Sequence, residues 1–214
     1  MIAVQSFTFN PFQENTYLLI NAQNECIIID PGCYFENERK ELSQFIIGKK
    51  LLPVRLLNTH CHLDHIFGNK LVNREHGLYP EIHRVEQPVL DRSPQAGILY
   101  NLPFEPSPQP VNYLSEGDKI QWGEDELEVL FTPGHSPGSI SFYCKQDSWV
   151  IAGDVLFYQS IGRTDLPGGD YDTLIRSIKD RLLPLGDTVK VYPGHGPVTT
   201  IGQERENNPF LTRL

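Results

Sequence analysis

Most apolar runs in this chain stop in the same way, and that shared ending narrows the folds open to it. Ile27-Ile28-Ile29 stops at Asp30-Pro31-Gly32, Leu56-Leu57 at Thr59-His60, and Val129-Leu130-Phe131 at Thr132-Pro133-Gly134-His135. Val150-Ile151-Ala152 stops at Gly153-Asp154, and Val189-Lys190-Val191-Tyr192 at Pro193-Gly194-His195. Runs of this length, bounded by Gly, Pro, Asn or Asp, predict strands, as do Ala3 to Phe9, Thr16 to Ile20 and Ile140 to Tyr143. Helical periodicity runs over Asn37 to Gly48, His65 to His76 and Tyr171 to Leu183, so strands and helices interleave and an α/β layered fold is expected. In such folds strand C-termini converge on one edge, where residues distant in sequence can meet. The stretch His83 to Asn112 carries Pro88, Pro94, Pro103, Pro106, Pro108 and Pro110. It reads as a long connection that covers a site, walls a substrate or packs on a sheet edge.

The densest chemistry lies in Thr59-His60-Cys61-His62-Leu63-Asp64-His65. Neutral imidazoles and carboxylates are the ligands that zinc or iron takes, and His60 and His62 in extended backbone share one side of the chain. The chain has 7 histidines, so finding His60, His62 and His65 in one short internal segment argues for a metal site over a solvated cluster or a tag. A lone Pro-Gly-His is ordinarily a turn. Two of them, ending at His135 and His195, beside such a cluster read as further ligands. Cys61 alternates away from His60 and His62 and is expected to pack in the interior. His76 and His83 lack a partner pattern and are expected at the surface or at helix ends.

The bulk properties exclude several classes. With 214 residues, 39% hydrophobic and 21% charged, the chain is ordinary for a soluble globular protein. A net charge of −9 and a pI near 5.2 disfavour nucleic-acid and anionic-membrane partners and favour a small-molecule substrate. No apolar stretch has the length of a membrane span, and the start Met1-Ile2-Ala3-Val4-Gln5-Ser6 lacks a basic then apolar leader pattern. Cys26, Cys33, Cys61 and Cys144 show no CxxC spacing, so a cytoplasmic protein without disulfides is expected, as a monomer or a homodimer.

In their order, His60, His62, Asp64, His65, His135, Asp154 and His195 resemble the signature of the metallo-β-lactamase superfamily. The resemblance implies an αββα sandwich, two mixed β-sheets with helices on the outer faces, built as a single domain over residues 1–214. It implies two divalent metal ions, with zinc expected and iron or manganese as alternatives. His60, His62 and His135 would hold one ion; Asp64, His65 and His195 would hold the other; Asp154 would bridge them. The segment Ser160-Ile161-Gly162-Arg163-Thr164-Asp165-Leu166-Pro167-Gly168-Gly169 and the ending Gly202-Gln203-Glu204-Arg205-Glu206-Asn207-Asn208-Pro209-Phe210 are similar to the short glyoxalase-II-like branch. That branch is linked to hydrolysis of 2-hydroxyacyl thioesters such as S-lactoylglutathione. Longer glyoxalase II enzymes add a C-terminal helical domain, for which little chain follows His195.

Two divalent ions that share a water lower its pKa and polarise a carbonyl, so no serine or cysteine nucleophile is needed. Asp64 is the candidate proton acceptor. Thr59 and Asp30 are expected to orient ligands. Arg163 and Asp165 are expected either to pair and shape their loop or to meet an anionic substrate group. Tyr100, Phe104, Phe157, Tyr158 and Arg163 are the candidate substrate contacts. A related chemistry, persulfide dioxygenation at one iron held by His60, His135 and Asp154, is the alternative, and a non-catalytic metal-binding protein is a lesser one. An antibiotic-degrading β-lactamase is disfavoured by the missing leader pattern, and an RNA-processing nuclease by the acidic balance and short length.

Overall fold

The computed structural model of the protein describes residues 1–212; residues 213 and 214, within the span assigned to the single expected domain, lie outside the described residues. The chain divides into two compact units. The first comprises Met1–Ile82, Gln87–Tyr113 and Gln121–Asp125; the second comprises His83–Glu86, Leu114–Ile120 and the chain from Glu126 onward.

The first unit is organised by a 6-stranded sheet in the order β1-β2-β3-β4-β5-β6, formed by Ala3–Phe9, Glu14–Ile20, Glu25–Ile29, Leu52–Leu57, Pro80–His83 and Asn112–Leu114. β1 and β2 pair antiparallel, as do β2 and β3, whereas β3, β4 and β5 run parallel. The continuous apolar character of Ile27-Ile28-Ile29 fits a central strand covered on both faces, and all three side chains are buried. Helix α1, Glu36–Gly48, returns the chain from β3 to β4. Its Leu42 and Ile46 pack with Phe7, Phe9, Leu18, Ile28 and Leu56 from the sheet. Glu38 receives the backbone N–H of Tyr34 at 2.8 Å and of Phe35 at 2.9 Å, which satisfies donors at the start of the helix.

The periodic segment His65 to His76 folds as two helices, α2 (Leu63–Ile66) and α3 (Asn69–His76). The break has a tertiary cause. Gly68 donates its N–H to Pro31 O at 2.6 Å, and a Cβ there would stand 2.6 Å from Cys33 Sγ. Only a glycine fits so close to that backbone.

The proline-rich connection is not an extended loop throughout. Gln87–Leu99 forms a 13-residue helix, α4, with Pro94 inside it. Proline has no N–H to give to the carbonyl one turn earlier, here Leu90 O. Ser93 Oγ donates to that carbonyl at 2.8 Å and replaces the missing bond. Pro88 lies in the first turn, where no intrahelical N–H is required. The prolines masked a helix that compensates for them.

The second unit carries a 6-stranded sheet in the order β14-β13-β10-β9-β8-β7. Its strands are β7 (Lys119–Trp122), β8 (Asp125–Phe131), β9 (Ile140–Cys144), β10 (Trp149–Gly153), β13 (Lys190–Pro193) and β14 (Thr199–Thr200). A small hairpin of β11 (Leu156–Phe157) and β12 (Ser160–Ile161) follows β10. Only the β10–β13 pair is parallel among the registers described, so this sheet is mixed as well. Helices α5 (Tyr171–Ser177) and α6 (Ile201–Asn207) complete the unit. Leu174 and Ile175 of α5 pack with Val150, Ala152, Val191 and Ile201. The helix expected to reach Leu183 leaves α geometry at Ile178, passing through a π turn at Ile178–Leu182 and a 3-10 turn at Leu183–Leu185. Pro184, in that last turn, has no N–H with which to continue the α ladder.

All four cysteines are buried and none is in a disulfide. Cys61 packs with Ile66, Ile82 and Leu90, as its alternation away from the histidines requires. No helix among the described residues is long and apolar enough to cross a membrane. Replacing Ser93 by Ala is expected to strand the Leu90 carbonyl inside a proline-bearing helix and to lower stability by about 1–2 kcal/mol. Urea unfolding checks this: the midpoint should fall while the slope stays constant.

Candidate metal centre

β3 and β4 are parallel neighbours, so their C-terminal ends lie side by side, and the residues that follow them meet. Asp30 leaves β3 with φ 48, a left-handed conformation that aspartate tolerates better than most residues. Its carboxylate turns towards the loop after β4. Thr59 donates its N–H to Asp30 Oδ1 at 2.7 Å and its hydroxyl to Oδ2 at 2.6 Å, and His65 Nδ1 lies 3.0 Å from Oδ2. Because the Thr59 hydroxyl proton goes to Asp30, its oxygen is left to accept from His60 Nδ1, 3.1 Å away. Both histidines are thereby held with the proton on Nδ1 and the lone pair on Nε2, the tautomer a metal ligand needs. Asn58 Nδ2 donates to His65 O at 3.0 Å and steadies the turn into α2.

The rings of His60 and His62 stand 4.8 Å apart and those of His60 and His65 4.1 Å apart. His65 Nε2 is 3.7 Å from Asp64 Oδ2. The expected cluster of His60, His62, Asp64 and His65 is therefore gathered within the first unit, with His60 and His65 fully buried. Asp30, His60 and His65 also offer ligand atoms within 4.8 Å of one another. Since Thr59 and His65 already occupy the Asp30 oxygens, we assign Asp30 to orienting the ligands, as expected for it and for Thr59.

The second unit gathers the other candidates. Asp154 and His195 follow the parallel neighbours β10 and β13, and His135 follows β8. His135 Nε2 lies 3.4 Å and His195 Nε2 3.5 Å from Asp154 Oδ2. His135 donates its Nδ1 proton to Arg163 O at 2.7 Å, which again leaves the lone pair on Nε2. Separations of 3.4–3.5 Å exceed the 2.7–2.9 Å of a charge-assisted hydrogen bond. They match the edge of a tetrahedron with ligand bonds of about 2.0–2.1 Å, roughly 3.3 Å. Each of these two histidines is thus spaced from Asp154 as two ligands of a divalent ion would be.

Other candidates fall in varied settings. Arg163 forms a two-bond fork to Asp165, 2.7 Å in each bond, as expected for a loop-shaping pair. The guanidinium holds the Asp165 carboxyl down at about 2. Phe157 stands edge-on to His195, ring centroids 6.2 Å apart, and Tyr158 is half-exposed at the hairpin tip. Phe104 packs against Phe67, and Tyr100 meets Phe12 edge-on at 6.0 Å. His76 ends α3, as expected, whereas His83 ends a strand, β5, with its ring stacked on Phe131 at 4.4 Å between centroids.

Sequence reasoning missed three fully buried carboxylates. Glu14 on β2 has Oε1 4.0 Å from His65 Nδ1. Burial pushes its carboxyl well above the usual range, opposed by His65 and reinforced by Asp30 and Asp64. Its signal was an acidic residue heading the apolar run Tyr17-Leu18-Leu19-Ile20. Glu86 accepts from Ser136 Oγ at 2.6 Å and Gly138 N at 2.7 Å, which fixes the turn after His135. Glu204 is the third. Nothing local in the sequence marks the last two as interior.

The metallo-beta-lactamase superfamily model matches residues 9–195. A Bacillus subtilis (strain 168) protein described as the probable metallo-hydrolase YqgX is 42% identical over 202 residues, covering 94% of this chain and 93% of that protein. A Haemophilus influenzae protein named hydroxyacylglutathione hydrolase GloC is 36% identical over 204 residues, covering 94% and 93%. Among solved structures, BLEG-1 B3 metallo-beta-lactamase aligns with a TM-score of 0.90 at 37% identity, covering 98% of this chain and 100% of that one. TTHA1623 in a di-iron-bound form aligns at 0.87 and 37% identity, covering 97% and 100%. The chain belongs to the metallo-β-lactamase superfamily, and its two mixed sheets with helices are the expected fold. Its histidine clusters suit divalent metal binding.

Replacing Asp30 by Asn keeps the size of the side chain but weakens its hold on His65 Nδ1–H. Metal affinity, measured by competition with a chelator, is expected to fall by about 10–100-fold, with the far-UV spectrum unchanged.

Proposed function

We propose that the ligands of both units form one binuclear centre and that the protein is a hydrolase of 2-hydroxyacyl thioesters such as S-lactoylglutathione. His60, His62 and His135 would hold one divalent ion, Asp64, His65 and His195 the other, with Asp154 shared; zinc is the expected metal. The observation that carries this reading is the completeness of the set: every ligand position of the signature is filled and its donor atoms are gathered within its own unit. A single-iron oxygenase needs only His60, His135 and Asp154, and would leave His62, Asp64, His65 and His195 without a task. The name of the Haemophilus influenzae relative supports the thioester class, and the di-iron form of TTHA1623 supports occupancy by two ions. Both units would act as one catalytic domain, and buried, unbridged cysteines fit a cytoplasmic setting.

A divalent pair supplies an activated water and polarises the carbonyl under attack. The chain's own groups do the rest. Asp64 accepts the proton of the attacking water. Asp30 and the Arg163 carbonyl keep His65 and His135 in the right tautomer throughout. A thiolate leaves without prior protonation, because thiol pKa values lie near 8.5, so the lack of a dedicated general acid among the candidates fits a thioester better than an amide. With a net charge of −9, a small molecule is the expected partner, and nucleic acid and membranes are not.

Protein purified without chelator is expected to carry two ions per chain and to hydrolyse S-lactoylglutathione. Asp154→Ala is expected to lose metal and to lower kcat/KM on the order of 100-fold or more. One iron per chain with oxygen uptake on glutathione persulfide would sink this reading in favour of oxygenation. Turnover of a cephalosporin without thioester hydrolysis would sink it in favour of β-lactam chemistry, the activity named for BLEG-1.

A further inference from the structure

Between Asp154 and the Arg163 carbonyl that holds His135, the chain rises into the β11–β12 hairpin, with Leu156 opposite Ile161 and Phe157 opposite Ser160. The base of the hairpin is fixed against the candidate ligands. A Cβ at Gly162 would stand 1.9 Å from Asp154 O and 3.2 Å from His135 Cβ, so the returning strand lies directly on that backbone.

The tip is held from another direction, by α6 and the residues after it. Gln159, at φ 53, donates its N–H to Glu204 Oε2 at 2.8 Å. Asn208 Nδ2 donates to Ser160 O at 3.0 Å and to the same Glu204 oxygen at 2.8 Å. The Thr199 hydroxyl fills Glu204 Oε1, and Phe210 N–H fills Asn208 Oδ1. Glu204 and Asn208 are both 0% exposed. Burying a carboxylate and an amide is costly unless their hydrogen bonds are made. Here they are made, and two of them end on the hairpin backbone, one in its two-residue turn at Gln159 and one at Ser160, the first residue of β12.

A solvent-facing turn with no task does not need a buried carboxylate to hold it. A recognition element does, because contact residues are effective only when their backbone is fixed. The clamped tip presents Tyr158, 47% exposed, and the ring of Phe157 beside His195. No side chain from Leu156 to Ile161 carries a formal charge. An uncharged, aromatic surface with one phenol suits a short hydroxyacyl chain, not the anionic ends of a peptide-like thiol.

We infer that the Leu156–Ile161 hairpin is the acyl-recognition element of the enzyme, an inference that rests on the thioester reading above. Phe157 and Tyr158 are its specificity-determining residues, and Glu204 and Asn208 are positioning residues that act through the backbone of Gln159 and Ser160.

The test uses the metal-loaded protein and a set of glutathione thioesters that share the carrier and differ in the acyl group: lactoyl, acetyl and mandeloyl. Tyr158→Ala is expected to change the ratio of kcat/KM between lactoyl and mandeloyl substrates by about fivefold or more, within the range that pocket contacts confer, at unchanged metal content. Glu204→Gln should shift that ratio in the same direction, again with metal retained. A residue that only supports the fold would lower turnover of all acyl groups alike. Should Glu204→Gln not fold, Tyr158→Ala and Phe157→Leu decide the matter by the same ratio. Unchanged acyl ratios in these variants, or a uniform loss, overturn the hairpin assignment and leave the hydrolase standing. A wild-type protein that cleaves none of the thioesters overturns both.

Discussion

The Asp30 carboxylate is the point on which the candidate ligand cluster of the first unit depends. Two parallel strands end side by side, and a loop from one must be turned so that its imidazoles face a common position. One carboxylate at the end of the other strand does this by receiving the Thr59 amide, the Thr59 hydroxyl and the His65 ring together. The hydroxyl then has an oxygen left for His60. Two ligands are oriented and two tautomers are set by one side chain. The left-handed backbone at Asp30 is part of the same arrangement, since it aims the carboxylate at the β4 loop instead of continuing the strand.

The same device recurs where other loops must be held. Glu86 gathers two donors from the turn after His135, and Glu204 gathers the tip of the β11–β12 hairpin. Each is a buried acid that would destabilise the fold if its donors were removed, and each fixes backbone that carries no regular structure of its own. Turns near the candidate ligands are thereby tied to fixed partners in the interior.

The sequence made the strand ends legible because a strand is a local pattern and its last residue is a local fact. His60, His62, Asp64 and His65, and separately His135, Asp154 and His195, lie at such ends. The same logic fails for Glu86 and Glu204. An acidic residue in a polar neighbourhood reads as surface, and only tertiary structure reveals that strands or turns enclose it. α4 was hidden for another reason: Pro94 removes a helix bond, and the compensating Ser93 hydroxyl is visible only once Leu90 O is seen to need it. The division of the long helix at Gly68 was hidden too, because the atoms that exclude a side chain there, Pro31 O and Cys33 Sγ, lie more than a strand away in sequence.

The candidate ligand clusters of the two units are held by different kinds of anchor, and the difference bears on how each tolerates change. His65 is oriented by a side chain, Asp30, which one substitution can remove. His135 is oriented by a main-chain carbonyl, Arg163 O, which no substitution removes directly. The Arg163 side chain meanwhile pairs with Asp165 in the open, where an ion pair contributes little to stability. What keeps the carbonyl in place is the packing of Gly162 against Asp154 and His135, and beyond it the clamp on the hairpin. The cluster of the second unit therefore depends on backbone shape, and that shape is set partly by α6 and Asn208, remote in sequence from every candidate ligand except His195. The closing segment of the chain belongs to the architecture of that cluster as much as its histidines do.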